Sequence, residues 1–504
     1  MKSAGAEGVA GLVLTGGPVY TMDRADRVGE AIAIGGGRVL RVGEVADVQP
    51  LIAPSTRVVQ LRGSTVLPGI NDSHLHAAWL GERWPNLLID SLAALGSPGI
   101  TGARPAAGSG NGHGHRHGAP QHAPADRGLV VPAGRPPTRA HVIMPEEPPS
   151  PDPFDPPGPV DRRLDSPFRR RAAILRAWDV LIPLGITSYT EPGLGPGEAD
   201  DGCFGAGVLA EYAALAAEGR AQMRVTALLL FGELDGPSSL PGFLEGLRSF
   251  EPPADVPEWF RVNGVKIFAD GIPPMRTSWT DEPYPDGTHG RPLTEGGAGA
   301  LLAMIEAARE AGHQVALHAT GSRATRTIVE ALARPKGEDE RHYLIHGDVL
   351  HPGTLERMAA AGIGLNTQPG LPPATTHLIR DALGEEAARH AWPVRDAMEA
   401  GVPLCLSSDA PVLSPDWRRG VAAAVLRTLD GAPAQRLTLA QALRAYTATP
   451  AWQDGAENWK GTLESGKVAD LCVVGADLRH LPVAELPQAP IEMTVLGGKI
   501  VYEA

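Results

Sequence analysis

Two histidines one residue apart, His74 and His76, are the first residues whose spacing suggests chemistry. Residues i and i+2 of an extended segment point the same way, so both imidazoles reach one point. Imidazole is a ligand for zinc, iron, nickel or cobalt. Alone, the pair says little. Four further groups sit on short apolar runs: His318 is next to last in QVALHA, His346 ends HYLIH, Asp409 follows PLCLSS, and Lys266 lies inside VNGVKIF. Taken singly, His318 and His346 read as hydrogen-bonded core histidines and Asp409 as a helix cap. Together, four histidines, an aspartate and a lysine at equivalent positions point to a metal site.

Lys266 carries its own argument. A lysine among Val, Ile and Phe is costly to bury unless it is paired, deprotonated or modified. One reading is a carbamate, formed when the neutral amine adds carbon dioxide, which is anionic and able to bridge two metals. The other is an ammonium that snorkels or pairs with a carboxylate such as Asp270.

These residues need elements that bring strand ends together. Apolar runs at 65–70, 185–190, 224–231, 262–268, 314–319, 342–346, 362–367 and 403–408 read as eight strands, with helix-period segments between most of them. Eight such strands predict an α/β fold, a (β/α)8 TIM barrel, with a doubly wound sheet as the competing arrangement. In a barrel the chemistry sits at the carboxyl ends of the strands, which is where His74, His76, Lys266, His318, His346 and Asp409 fall. His342 lies at the opposite end of its strand and is not counted as a ligand.

The two ends of the chain read differently. Residues 10–62 and the C-terminal IEMTVLGGKIVYEA alternate apolar residues with Gly-Gly turns, the pattern of hairpins. Neither end has enough strands to stand alone. We therefore expect a small β-sandwich domain built from both termini, residues 1–63 and 461–504, around a (β/α)8 barrel at 64–460. A Gly-, Pro- and His-rich segment at about 97–162 interrupts the barrel and reads as a flexible insertion. Its His113, His115, His117 and His122 suit weak metal binding or a solvated linker, the linker being favoured.

Composition narrows the partners. The net charge of −13 argues against nucleic acid and anionic membranes, which are held by clustered Lys and Arg. Only three scattered cysteines and no long apolar stretch favour a reducing, cytoplasmic setting. The expected partner is a small-molecule substrate, with a homo-oligomer left open.

The motifs LPGINDSHLHA (67–77), GVKIFADG (264–271), ALHATGSRA (316–324), LIHGD (344–348), SSDAPV (407–412) and GTLESGKVADLCVV (461–474) resemble the amidohydrolase superfamily. Within it they are similar to amidohydrolase family 3, the group of N-substituted formamide deformylase and YtcJ-like proteins. The resemblance covers nearly the whole chain outside the insertion. It departs at Ser322, where such proteins often carry an acidic residue.

The resemblance implies a metal-dependent hydrolase acting on a C–N bond other than a peptide bond, such as an exocyclic amide or formamide. His74 and His76 would bind one divalent ion and His318 and His346 another, zinc first, with iron, manganese or nickel as alternatives. A carbamylated Lys266 would join them. Asp409 would sit on the first metal as acid/base, and His346 or a second ion would polarise the carbonyl. A lyase or isomerase on the same site, or a catalytically idle binding relative, are the rival readings. After the fourth strand, Trp279 and Tyr284, with Phe268, offer apolar area at the barrel mouth for an aryl or alkyl group and Arg276 a partner for a substrate carboxylate or carbonyl; the equal alternative is that the aromatics pack the loop onto the barrel and Arg276 faces solvent.

Overall fold

This computed structural model describes residues 8–89, 164–197, 202–334, 339–427 and 435–504. The expected insertion at 97–162, with its four histidines, lies outside the described residues.

Both chain ends contribute to one eight-stranded sheet. From the N-terminal part come β1 (Leu12–Tyr20), β2 (Val28–Gly35), β3 (Arg38–Gly43), β4 (Arg57–Gln60) and β5 (Thr65–Pro68). Period two decides which side chains go where. Leu12, Leu14, Ile32 and Ile34 bury on one face against Val473 and Val495 from the other end of the chain. Their neighbours Val13, Ala31 and Ala33 bury on the opposite face with Val48 and Leu51.

A second set of eight strands is wholly parallel and follows chain order: β6 (Ile70–Asp72), β7 (Ile186–Leu194), β8 (Arg224–Leu230), β9 (Phe260–Phe268), β10 (Gln314–Ala319), β11 (Tyr343–His346), β12 (Gly364–Thr367) and β13 (Leu404–Leu406). The first and last strands meet just beyond their ends. Asp409 N–H donates to the His74 carbonyl and His76 N–H to the Ala410 carbonyl, both at 2.8 Å. This is the (β/α)8 barrel, and Leu228, Ala316, Tyr343 and Ile345 from three of its strands pack together in a cluster of their own. Among the described residues no helix is long and apolar enough to cross a membrane.

After the barrel, β14 (Leu471–Val474), β15 (Ile491–Leu496) and β16 (Lys499–Glu503) complete the small sheet, β14 pairing antiparallel with β5. Gly497 and Gly498 take φ of 53° and 76° between β15 and β16, the positive values that a tight hairpin turn requires.

One expected strand is corrected. The run at 65–70 is not a single barrel strand: Thr65–Pro68 belongs to the small sheet and the barrel begins at Ile70. The chain crosses between the two at Gly69, where a Cβ would stand 2.1 Å from Thr187 Oγ1, so only glycine fits the crossing.

Candidate metal centre

The HxH pair follows β6 and is fixed by a buried carboxylate. Asp72 Oδ1 accepts the N–H of Ser408 (3.1 Å) and that of His74 (3.4 Å), tying the first strand to the eighth. Burial pushes the Asp72 carboxyl up to about 7, against those hydrogen bonds. His74 Nε2 and His76 Nε2 then stand 3.2 Å and 3.6 Å from Asp409 Oδ1. Ligand atoms of the three buried side chains all lie within 4.8 Å of one another.

The donor set fits a divalent ion. Ligands about 2.1 Å from a tetrahedral centre are about 3.4 Å apart, which the two observed separations bracket. Burial holds His74 far below the usual imidazole range, with the Lys266 ammonium adding to it, so His74 keeps a lone pair for a metal.

His318 and His346 stand beside this group, their ring centroids 4.5 Å apart, and His346 lies 5.6 Å from His74. Burial lowers the basicity of both. Their tautomers follow from their partners. Gly271 O faces His318 Nε2 at 3.0 Å, and a carbonyl only accepts, so Nε2 carries the hydrogen and Nδ1 the lone pair. Gln368 Oε1 lies 2.8 Å from His346 Nδ1, which leaves Nε2 as the lone-pair nitrogen. Gln368 is itself held, since its amide donates to Ser407 Oγ (2.9 Å) and that hydroxyl donates to Asn366 Oδ1 (2.6 Å).

Lys266 is fully enclosed at the end of β9, with Nζ 4.7 Å from the Phe268 ring centre. Burial brings its amine down to about 7, opposed by the negative charges of Asp409 and Asp235. Asp270 does not take it as a partner. That carboxylate accepts backbone N–H groups from Trp279 (2.8 Å), Thr320 (3.0 Å) and Gly321 (2.9 Å).

Two residues of the group hold backbone conformations that side chains disfavour: φ is 73° at His346 and 56° at Asp409. Each costs on the order of 1–3 kcal/mol and persists only where surroundings over-determine it, which is common where side chains are aimed for function.

The group lies along a cavity of about 250 Å³. Its walls are largely apolar: Trp79, Leu88, Leu234, Phe268, Ile272, Leu371, Ile379 and Val412. Of the four expected substrate-binding residues, Phe268 lines it, while Arg276, Trp279 and Tyr284 are not among its lining residues. Asp270 draws the loop back onto the barrel through the Trp279 N–H, and the Tyr284 hydroxyl donates to the Ser278 carbonyl (3.0 Å) from a buried position. Arg276 is exposed, 3.7 Å from Asp286. His342 sits apart, its Nδ1 accepting the Val315 N–H at 3.0 Å.

A sequence profile of the amidohydrolase family matches residues 172–502. The chain belongs to this family. Among relatives, the candidate amidohydrolase YtcJ of Bacillus subtilis (strain 168) is 31% identical over 247 residues, an alignment that covers 47% of each chain. N-substituted formamide deformylase of Arthrobacter pascens is 26% identical over 569 residues and 98% of each chain. A solved, uncharacterized metal-dependent hydrolase of Pyrococcus horikoshii OT3 superposes with a TM-score of 0.65 at 19% identity, covering 94% of this chain and 99% of that one. That likeness bears on the fold.

Sequence reasoning passed over Glu191, a fully buried carboxylate on β7 beside His76. The strand was read as ending at residue 190, whereas it runs to Leu194. A carboxylate at the end of a buried run is the same signal that singled out Lys266. Asp348 was likewise unassigned, although it lines the cavity and its Oδ1 accepts the Trp392 indole N–H at 2.8 Å.

Proposed function

We propose that this member of the amidohydrolase family is a metal-dependent hydrolase that cleaves the C–N bond of a neutral exocyclic amide or formamide. The observation that carries the reading is the convergence of His74, His76 and Asp409 on one point beside an apolar cavity. A divalent ion held there, zinc in the first instance, supplies a Lewis acid for a carbonyl oxygen and makes water acidic enough to react near neutral pH.

The chain's own residues supply the rest. His74 and His76 present Nε2 beside Asp409. His318 through Nδ1 and His346 through Nε2 form the second donor pair. Gln368 already takes the one N–H of a neutral His346, so we assign that residue to ligation rather than to polarising the carbonyl by hydrogen bonding. With an amine at about 7, Lys266 has a large neutral fraction at physiological pH, the form that adds carbon dioxide, which supports the carbamate reading. Asp409 accepts a proton from water and passes it to the leaving nitrogen, which departs poorly until protonated.

Substrate class follows from the walls. Among the described residues, Lys266 is the single Lys or Arg side chain lining the cavity, whereas Asp235 and Asp348 also face it. A substrate carboxylate finds little to pair with there, while an alkyl or aryl substituent finds ample apolar surface. The test compares kcat/KM for N-benzylformamide, an N-acyl amino acid and a hydantoin, each before and after chelation. The expected order has the formamide first and all activity lost on metal removal. A hydantoin turned over fastest overturns the exocyclic-amide reading, and activity that survives complete metal removal overturns the metal-dependent one.

A further inference from the structure

Glu191 is a buried carboxylate beside the candidate metal centre that the chemistry above leaves unused. Its side chain sits on β7, one strand over from the HxH segment, with about 1% of its surface exposed. One carboxylate oxygen, Oε2, is fully engaged: it accepts the Ala77 N–H at 2.7 Å and the Tyr212 hydroxyl at 2.8 Å. Tyr212 is buried in turn and packs edge-on against Tyr189, whose hydroxyl accepts the Trp178 indole N–H at 3.0 Å. The carboxylate is therefore pinned by groups that have no room to move.

The other oxygen, Oε1, stands 3.3 Å from His76 Nδ1. Both atoms are buried and neither makes a hydrogen bond among the described residues, so the 3.3 Å approach is a charge contact in which each is the other's nearest available polar partner. The His76 ring is also confined from the side, edge-on to Phe204 at 5.2 Å and tilted against Trp79 at 6.0 Å.

We propose that Glu191 is the positioning residue of the metal centre: its carboxylate holds the Nδ1–H tautomer of His76 and so aims the Nε2 lone pair at the point shared with His74 and Asp409. The inference rests on the metal reading above and concerns only how one ligand is oriented. A carboxylate behind a ligating imidazole fixes its tautomer and raises its basicity toward the ion. The neighbouring histidines His346 and His318 are held by neutral groups, Gln368 and the Gly271 carbonyl, whereas behind His76 among the described residues stands an anion.

Glu191→Gln makes the idea testable with almost no change of shape. If the new amide NH2 points at Tyr212 and Ala77, it meets two donors that no longer have an acceptor. If it points at His76, it favours the opposite tautomer and puts a hydrogen on Nε2. The second orientation reverses the tautomer; the first still accepts the Nδ1–H but strands two donors and removes the negative charge that raises the imidazole's basicity, so each weakens ligation by its own route.

The experiment titrates metal-stripped full-length protein with zinc against a chromophoric chelator, for wild type, Glu191→Gln, Tyr212→Phe and His76→Ala, and records the melting temperature of each stripped protein. The expected result is a 10- to 100-fold loss of zinc affinity in Glu191→Gln, of the order found for other partners behind metal ligands. Tyr212→Phe, which keeps the carboxylate, should lose less, and the stripped Glu191→Gln protein should melt close to wild type. Wild-type affinity in Glu191→Gln, or a loss no greater than that of Tyr212→Phe, overturns the proposal while leaving the metal site standing. Wild type that binds zinc no better than His76→Ala overturns both. Should Glu191→Gln fail to fold, the zinc-loaded wild type decides by ¹⁵N-histidine NMR, with His76→Ala providing the assignment. His76 must show a protonated Nδ1 and a metal-bound Nε2, and the reverse pattern refutes the inference.

Discussion

Replacing Lys266 with methionine should stabilise the metal-free protein while abolishing its activity. An amine whose ordinary value is 10.5 is brought down to about 7 by complete burial. At about 1.4 kcal/mol per pH unit, and with the folded amine half protonated at pH 7, enclosing it costs about 4 kcal/mol there. The sign is set by where protons bind. Between pH 7 and 10 the unfolded chain holds a proton on Lys266 that the folded chain has shed, so this group makes stability rise with pH by about 1.4 kcal/mol per unit. Methionine has a similar length and no charge, so it removes both the cost and the slope. The assay is urea unfolding of chelator-treated wild type and Lys266→Met at several pH values from 7 to 10. The variant should be more stable at pH 7 by up to about 4 kcal/mol, and the two curves should converge toward pH 10. A variant no more stable than wild type at pH 7, or a difference constant across the range, refutes the account of Lys266 as a buried, neutralised amine.

Three further outcomes follow from the geometry. Asp470→Ala leaves Arg224, 3% exposed, without the carboxylate that accepts its Nε (2.6 Å) and Nη2 (3.0 Å), so denaturant unfolding should register a loss of about 3–5 kcal/mol, while Arg224→Met with Asp470→Leu should recover much of it. Because Arg276 and Trp279 do not line the cavity and Trp79 and Ile379 do, Arg276→Ala should leave KM for a hydrophobic formamide within about twofold of wild type, whereas Trp79→Ala, which strips apolar area, should raise it about tenfold or more; equal effects would refute the assignment of the walls. Burial holds the His342 imidazole down to about 4, so the unfolded chain takes up a proton near pH 6.5 that the folded one refuses. Its contribution is intact above pH 6.5 and falls away between pH 6.5 and 4, by about 1–3 kcal/mol, and melting temperatures of His342→Gln across that range should show a shallower acid decline than wild type.

Much of this was legible in the chain because two signals are local. The barrel strands β7 to β13 each announce themselves as a short apolar run, and a His, Lys or Asp at the end of such a run stands out against its burial cost. The crossing at Gly69 was hidden because the apolar run continues unbroken through it, and only the clash with Thr187 tells the two sheets apart. Glu191 was obscured by Thr187, Ser188 and Thr190, buried polar residues that make β7 read as though it ends early. The loop after β9 left two readings open for a different reason. Proximity in sequence to a strand end does not say which way a loop folds, and the backbone hydrogen bonds gathered by Asp270 turn Trp279 and Tyr284 toward the protein rather than the substrate space. The charges facing Lys266 were likewise a tertiary matter, since Asp409 follows β13 and Asp235 comes from the loop after β8.

The central claim is that His74, His76 and Asp409 together bind a divalent ion. Anomalous diffraction at the zinc edge from crystals of zinc-loaded protein tests it most directly. The account predicts a peak about 2.0–2.2 Å from Nε2 of both histidines and from a carboxylate oxygen of Asp409. Strong anomalous density elsewhere in the chain with none at that point would contradict it.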